Sequence, residues 1–203
     1  MTVPAIDAPA VADAADPYRR RLLDGLADSI AERGYRASTV AEIVRAARTS
    51  KRTFYDHFAS KEECLLELLR VDNEELALRI RTAVDPQADW QVQIRQAVEA
   101  YVAQIRSRPA ITLSWIRDMP SLGEVARPAQ RRGLELMSNL LIELSGSPGF
   151  RRANLPPLTP ALAVILLGGL RELTALAVED GADIGVITEP AVVASIALLG
   201  PRG

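Results

Sequence analysis

The stretch RAARTSKRTFYDHFASKEE, residues 45–63, gathers Arg45, Arg48, Lys51, Arg52 and Lys61 around two phenylalanines, a tyrosine and the chain's only histidine. Phe54 and Phe58 stand four apart, one helical turn, and so mark the inward face of a helix. Lys51, Arg52, Thr53, Tyr55 and Asp56 are left for the outward face. Cations and hydroxyls in that arrangement suit phosphate oxygens and base edges. They do not suit catalysis. His57 has no Cys or His partner, and the acids elsewhere are scattered over helix faces without a paired-carboxylate or nucleophile pattern. The expectation is a protein that is not an enzyme, with no metal and no cofactor. Cys64, the one cysteine, reads as a small buried hydrophobe.

Charge supports an anionic partner for this region alone. Residues 17–61 hold ten Lys/Arg against five Asp/Glu, whereas the chain as a whole has a net charge of −2. A mildly acidic protein with one basic segment of this kind points to nucleic acid. Residues 1–15, rich in Ala, Asp and Pro, read as a disordered tail without the basic start of a secretory signal. The longest apolar run, Ala161 to Leu170, falls short of the roughly 20 residues that span a bilayer. A soluble, cytoplasmic protein without a membrane partner is expected.

The elements that must position the basic face are helices. Asp16-Pro17 forms an N-cap with proline at the first helical position, and Gly34 supplies a stop. Thr39 and Glu42 form a capping box for a short second helix, and a third begins about Ser50. Ser60 and Glu63 read as a second capping box, opening a helix through roughly Arg81. Further helices are predicted over 87–108, 109–119, 122–144, 159–180 and 190–199. There is little period-2 alternation to suggest strands. The class is all-α, about nine helices. Residues 16–61 form a helix-turn-helix domain with its motif at about 39–58, and 62–203 a helical regulatory and dimerisation domain.

The residues Gly34-Tyr35, Ser38-Thr39, Ser50 to Phe58 and Ser60-Lys61-Glu62 resemble, in register, the DNA-binding domain of the TetR family of bacterial transcriptional regulators. The resemblance covers about a third of the chain. It implies phosphate-positioning roles for Thr39, Tyr55, His57 and Lys61, and base reading by Lys51, Arg52 and Thr53, with Ser50 at the helix start. Arg48 departs from the family pattern, standing where glycine is usual. In a left-handed backbone it would cost about 1 kcal/mol more than glycine, a cost DNA contacts could offset.

Beyond the head, large apolar and aromatic residues on the central helices either form ordinary core or line a ligand cavity. The resemblance implies a small-molecule effector in this region, of hydrophobic or amphipathic character. The cavity candidates are Trp90, Tyr101, Ile105, Trp115, Met119, Met137, Leu140 and Leu167. The helix at 159–180 is apolar nearly all round over its first half, so it needs cover on two sides, from its own chain or from a twin. The resemblance favours a homodimer through the last two helices, with Leu166, Gly169, Leu170, Leu173, Val193 and Ala197 as interface candidates. The expected function is a homodimeric repressor on a palindromic operator of double-stranded DNA. An activator of the same fold, or a helical interaction protein without DNA binding, stands as the alternative.

Overall fold

The computed structural model describes residues 16–201; the tail expected over 1–15 lies outside them. The described residues are helical throughout, with no strand. Helix α1 (Pro17–Arg33) starts where Asp16 accepts the Tyr18 amide at 2.8 Å, and it ends at Gly34, whose φ of 77° suits a residue without Cβ. Helix α2 (Val40–Ala46) carries the complete capping box. The Glu42 amide donates to Thr39 Oγ1 at 3.3 Å, and the Thr39 amide donates to Glu42 Oε2 at 2.9 Å. Helix α3 (Lys51–His57) begins at Ser50, whose hydroxyl accepts the Thr53 amide at 3.0 Å.

Helix α4 (Lys61–Ala83) opens differently from its sequence pattern. The Ser60 hydroxyl takes the Glu63 amide, but the Glu63 carboxylate takes the Ala59 amide at 2.7 Å rather than that of Ser60. Helices α5 (Trp90–Ser107), α6 (Pro109–Leu113), α7 (Met119–Ser121), α8 (Arg127–Ser145), α9 (Pro148–Arg152), α10 (Pro160–Glu179) and α11 (Thr188–Leu199) complete the chain. Two of these raise the segments above the nine expected. A π-turn at Ser114–Asp118 separates α6 from α7, and Pro148–Arg152 forms a helix of its own under a Ser147 cap, where a loop was expected.

The chain divides into two units at Leu68/Leu69, inside α4 rather than at its start. In the first unit, Leu22, Leu26, Ile30, Ile43, Phe54, Phe58 and Leu65 are almost fully buried. A Cβ on Gly25 would lie 2.7 Å from the Ile43 carbonyl oxygen, so a bare α-carbon lets α1 and α2 meet. Cys64 is fully buried here, and burial pushes its thiol up to about 12. A thiol so disfavoured as thiolate is a poor nucleophile. Native protein is therefore expected to resist a disulfide-exchange reagent at pH 8 over hours and to react within seconds in denaturant; fast native labelling would contradict the packing.

In the second unit, α5, α9 and α11 close over a core of Ile94, Val98, Val102, Ile105, Phe150 and Ile187, while Ala77, Ile80, Val84, Met137 and Leu140 form a second cluster. Helix α10 is long and apolar enough by composition to cross a membrane. It nevertheless carries Arg171, Glu172 and Glu179, and Arg117 bridges both glutamates, at 2.8 Å and 2.6 Å. Its Ala163, Leu166, Thr174 and Ala175 are buried within the unit.

Candidate nucleic-acid interface and effector cavity

Helix α3 spans only seven residues, too short to persist alone. Its inner face fixes it: Phe54 is 0% and Phe58 1% exposed, their ring centroids 5.8 Å apart, with the Arg19 guanidinium 4.6 Å above Phe58. The opposite face presents Lys51, Arg52, Tyr55 and Asp56 to solvent, and the Tyr55 ring stands edge-on to Phe54 at 5.4 Å. Thr53 is half-buried and shares a hydrogen with the exposed Ser50 hydroxyl at 2.9 Å. Thr39, exposed at the start of α2, already uses its hydroxyl in the capping box.

The turn between α2 and α3 is closed by two hydrogen bonds, Arg48 amide to Arg45 carbonyl and Thr49 amide to Val44 carbonyl, around Arg48 at φ 50°. This is a Schellman ending with an arginine in the left-handed position that glycine ordinarily fills. The strain expected from the sequence is present, and the Arg48 side chain is exposed. Arg48→Gly is accordingly expected to raise stability by about 1 kcal/mol. If Arg48 meets a phosphate, the same change lowers the slope of log affinity against log salt by about 1, measured by DNA titrations at several salt concentrations.

His57 and Lys61 lie elsewhere. His57 is half-buried, its Nε2 3.7 Å from Asp16 Oδ2. Lys61 Nζ donates to the Tyr35 and Ser38 carbonyls at 3.2 and 2.9 Å and sits 4.2 Å above the Tyr35 ring. Its ammonium ties the loop between α1 and α2 to the start of α4. The sequence pattern could not show this, because a lysine at a helix start reads alike whether it faces phosphate or backbone carbonyls.

The second unit holds a cavity of about 450 Å³. Of the candidates, Tyr101, Ile105, Trp115, Met119, Met137 and Leu167 line it. Two expected residues do not. Trp90, at the start of α5, packs on Phe150 with centroids 6.1 Å apart, and Leu140 is 1% exposed in the core beside Ile80 and Val84. The polar part of the lining was not anticipated: Asp72, Asn73, Gln104, Thr112, Arg131 and Arg171 each contribute. Burial is the main cause that raises the Asp72 carboxyl, opposed by Arg108 at 3.7 Å. Burial likewise raises the Tyr101 phenol, whose oxygen pairs with Thr174 Oγ1 at 2.8 Å. Among the described residues no cluster of three or more His, Cys, Asp or Glu could hold a metal.

The interface candidates also separate. Leu166 is buried within the unit, Leu170 lines the cavity, and Leu173 packs half-buried on the core. These lie on the inward stripe of α10. Its outward stripe, i, i+4, i+7, i+11, is Ile165, Gly169, Glu172 and Leu176, all exposed. Gly169, Val193 and Ala197 are the exposed members of the expected set. The first half of this helix is apolar nearly all round and gives no phase from which to tell the inward stripe from the outward one.

Comparison with known proteins adds the context. Residues 22–68 match the family model described as bacterial regulatory proteins, tetR family. The chain is 43% identical over 79 residues, 39% of its length and 40% of the other's, to the HTH-type transcriptional repressor KstR2 of Mycobacterium tuberculosis. It is 35% identical over 86 residues, 42% of its length and 39% of the other's, to the HTH-type transcriptional activator FasR of Mycolicibacterium smegmatis. It thus spans about two-fifths of the length of these curated relatives. In fold it is similar to the regulator FadR from Bacillus subtilis in complex with stearoyl-CoA, at TM-score 0.75 and 16% identity over 90% of this chain and 99% of that one. FadR of Bacillus halodurans gives TM-score 0.72 and 21% identity over 91% and 96%.

Proposed function

We propose that this chain, which belongs to the TetR family of bacterial transcriptional regulators, acts as a homodimeric repressor released from a palindromic operator by an amphipathic effector. One observation carries the reading: a capped helix anchored by Phe54 and Phe58 turns Lys51, Arg52 and Tyr55 to solvent behind a strained arginine turn. In the proposal Lys51, Arg52 and Thr53 read base edges from the major groove. Thr39, Arg48, Ser50 and Tyr55 position phosphates, and Lys61 holds the frame they stand on. Two such helices in a symmetric pair suit half-sites about 34–36 Å apart.

The effector reading rests on the largely apolar cavity, and the stearoyl-CoA complex of the FadR neighbour supports a ligand with a long apolar part. The effector weakens operator binding only by its preference for a state that binds DNA poorly; a 100-fold effect needs about 2.7 kcal/mol of such preference. The relation to the activator FasR favours, as second reading, activation by the same contacts, since the sign depends on where the operator lies.

The test is selection of bound duplexes from a random pool at low salt, repeated with Arg52→Ala. An inverted repeat is expected, with relaxed preference at one position per half-site and a loss of about 1–3 kcal/mol on the parent operator. A uniform loss over all sequences reassigns Arg52 to phosphate. Failure to enrich any palindrome overturns the proposal in favour of an interaction protein without DNA binding.

A further inference from the structure

Charge in the cavity lining is unevenly matched. Its one acid, Asp72, is already answered: Gln104 Nε2 donates to Asp72 Oδ1 at 3.2 Å, and Arg108 Nη1 lies 3.7 Å from the same oxygen. Two cations also line the cavity, Arg131 and Arg171. Both acids of α10, Glu172 and Glu179, are held by Arg117, at 2.8 and 2.6 Å. Arg171 Nη2 donates to the Ile116 carbonyl at 2.9 Å, which leaves most of its five N–H donors for another acceptor. Burial first, and then the nearby Arg117, holds the Arg171 guanidinium below its usual value, with Glu172 opposing. Among the described residues Arg131 has no carboxylate at ion-pair distance, Glu135 one turn on included.

The two arginines stand toward the same end of the cavity. Helices α8 and α10 pack together in opposite directions: Leu141 and Leu144 border one small apolar pocket with Leu158, while Met137 packs with Leu167. Arg131 lies six residues before Met137 and Arg171 four after Leu167, about 9 and 6 Å along the same direction. Guanidinium groups on facing helices at such a separation can reach one anion.

Lining residues that reach solvent follow the seam between α8 and α10: Arg131, Leu134, Val164, Gly168 and Arg171 are exposed, whereas Ile105, Met119 and Met137 are buried. The cavity is apolar within and cationic at its rim. We propose that the effector is an amphipathic anion, its carboxylate or phosphate held between Arg131 and Arg171 and its hydrocarbon part seated against Met119, Met137 and Leu167. The inference rests on the cavity being the effector site. Paired N–H donors of a guanidinium match two oxygens of a carboxylate or phosphate, and such charged hydrogen bonds are about twice as strong as neutral ones. Asp72, matched by Arg108 and Gln104, opposes an anion less than two unmatched arginines favour it. An ammonium at this rim would meet like charge on both sides.

Octanoate, octan-1-ol and octylamine share one chain length and differ in the charge of the head, and octanoyl-CoA carries its negative charge on phosphates instead. Calorimetric titration of the full chain at pH 7.5 is expected to give octanoate or octanoyl-CoA about tenfold tighter binding than the alcohol, with the amine weakest. Whichever anion is favoured names the source of the charge, a terminal carboxylate or the phosphates of a thioester. Burial of hydrocarbon alone would rank the alcohol above octanoate, so the two readings differ in sign. Arg131→Gln with Arg171→Gln is expected to remove the anion's advantage and leave the alcohol's affinity unchanged. Alcohol binding equal to or tighter than both anions in the unaltered chain overturns the inference and leaves the cavity reading standing, and that comparison needs no variant to fold. An anion preference that survives both substitutions also overturns it. Binding of none of the four overturns this inference and the effector role of the cavity together.

Discussion

Phe54→Ala is expected to cost the first unit about 3–5 kcal/mol and to abolish operator binding. The ring is fully buried, it touches Phe58 and Tyr55, and it is the inward anchor of a seven-residue helix. Helices α2 and α3 are both below the length at which helix formation sustains itself, so their order comes from packing rather than propensity. Losing that much from a unit of this size consumes a large share of ordinary domain stability. Native-state hydrogen exchange is the appropriate measurement, because it localises the effect. Amides of α1 to α3 should lose protection, while those of α5, α8 and α10 keep theirs. Unchanged protection over 17–57 would mean that Phe54 does not hold the reading helix in place.

Val193→Glu is expected to convert a dimer to a monomer and to lower operator affinity by more than about 100-fold, since a lone protomer grips one half-site. Val193 is 64% exposed, as are Ile165 at 59% and Leu176 at 50%, so α10 and α11 present large aliphatic side chains to solvent. Gly168 and Gly169 add an independent indication. A Cβ at either would meet nothing within 4 Å inside the protomer, so their lack of a side chain serves no packing need of this chain. A close approach by a second copy would use it. Twofold symmetry places two glutamates in the interface, one from each protomer, and each burial of an unpaired carboxylate costs several kcal/mol. Because Val193 is exposed in the protomer, the folded monomer should survive. Analytical ultracentrifugation at micromolar concentration gives the mass, and a thermal melt confirms the fold. An unaltered mass would remove this face from the interface.

What the sequence revealed and what it hid divide along a physical line. Caps are local, so Asp16, Thr39 with Glu42, Ser50 and Thr159 could each be read from neighbours within four residues. Phe54 and Phe58 fixed the phase of α3 because they stand among polar residues. In the first half of α10 no such contrast exists, and Leu166, Leu170 and Leu173, offered as interface candidates, lie on the stripe turned toward their own unit. The cavity's apolar lining followed from bulk and position. Its polar residues did not: Asp72 and Gln104 are 32 positions apart, on different helices, and ordinary surface residues by type. Lys61 illustrates the same limit, since its partners Tyr35 and Ser38 belong to a loop far back along the chain.

The π-turn at Ser114–Asp118 bears on how such a cavity can change over generations. A π-turn holds one residue more than the α-helical turn it replaces, and Arg171 Nη2 donates to the Ile116 carbonyl within it at 2.9 Å. Trp115, Ile116 and Met119 all border the cavity from this segment. Loss of a single codon here would restore regular winding with the flanking turns kept in phase, and would remove one side chain from the segment that borders the cavity. Descendants of one ancestor could in this way exchange effector preference through a one-residue length change, while the DNA-reading helix stayed untouched.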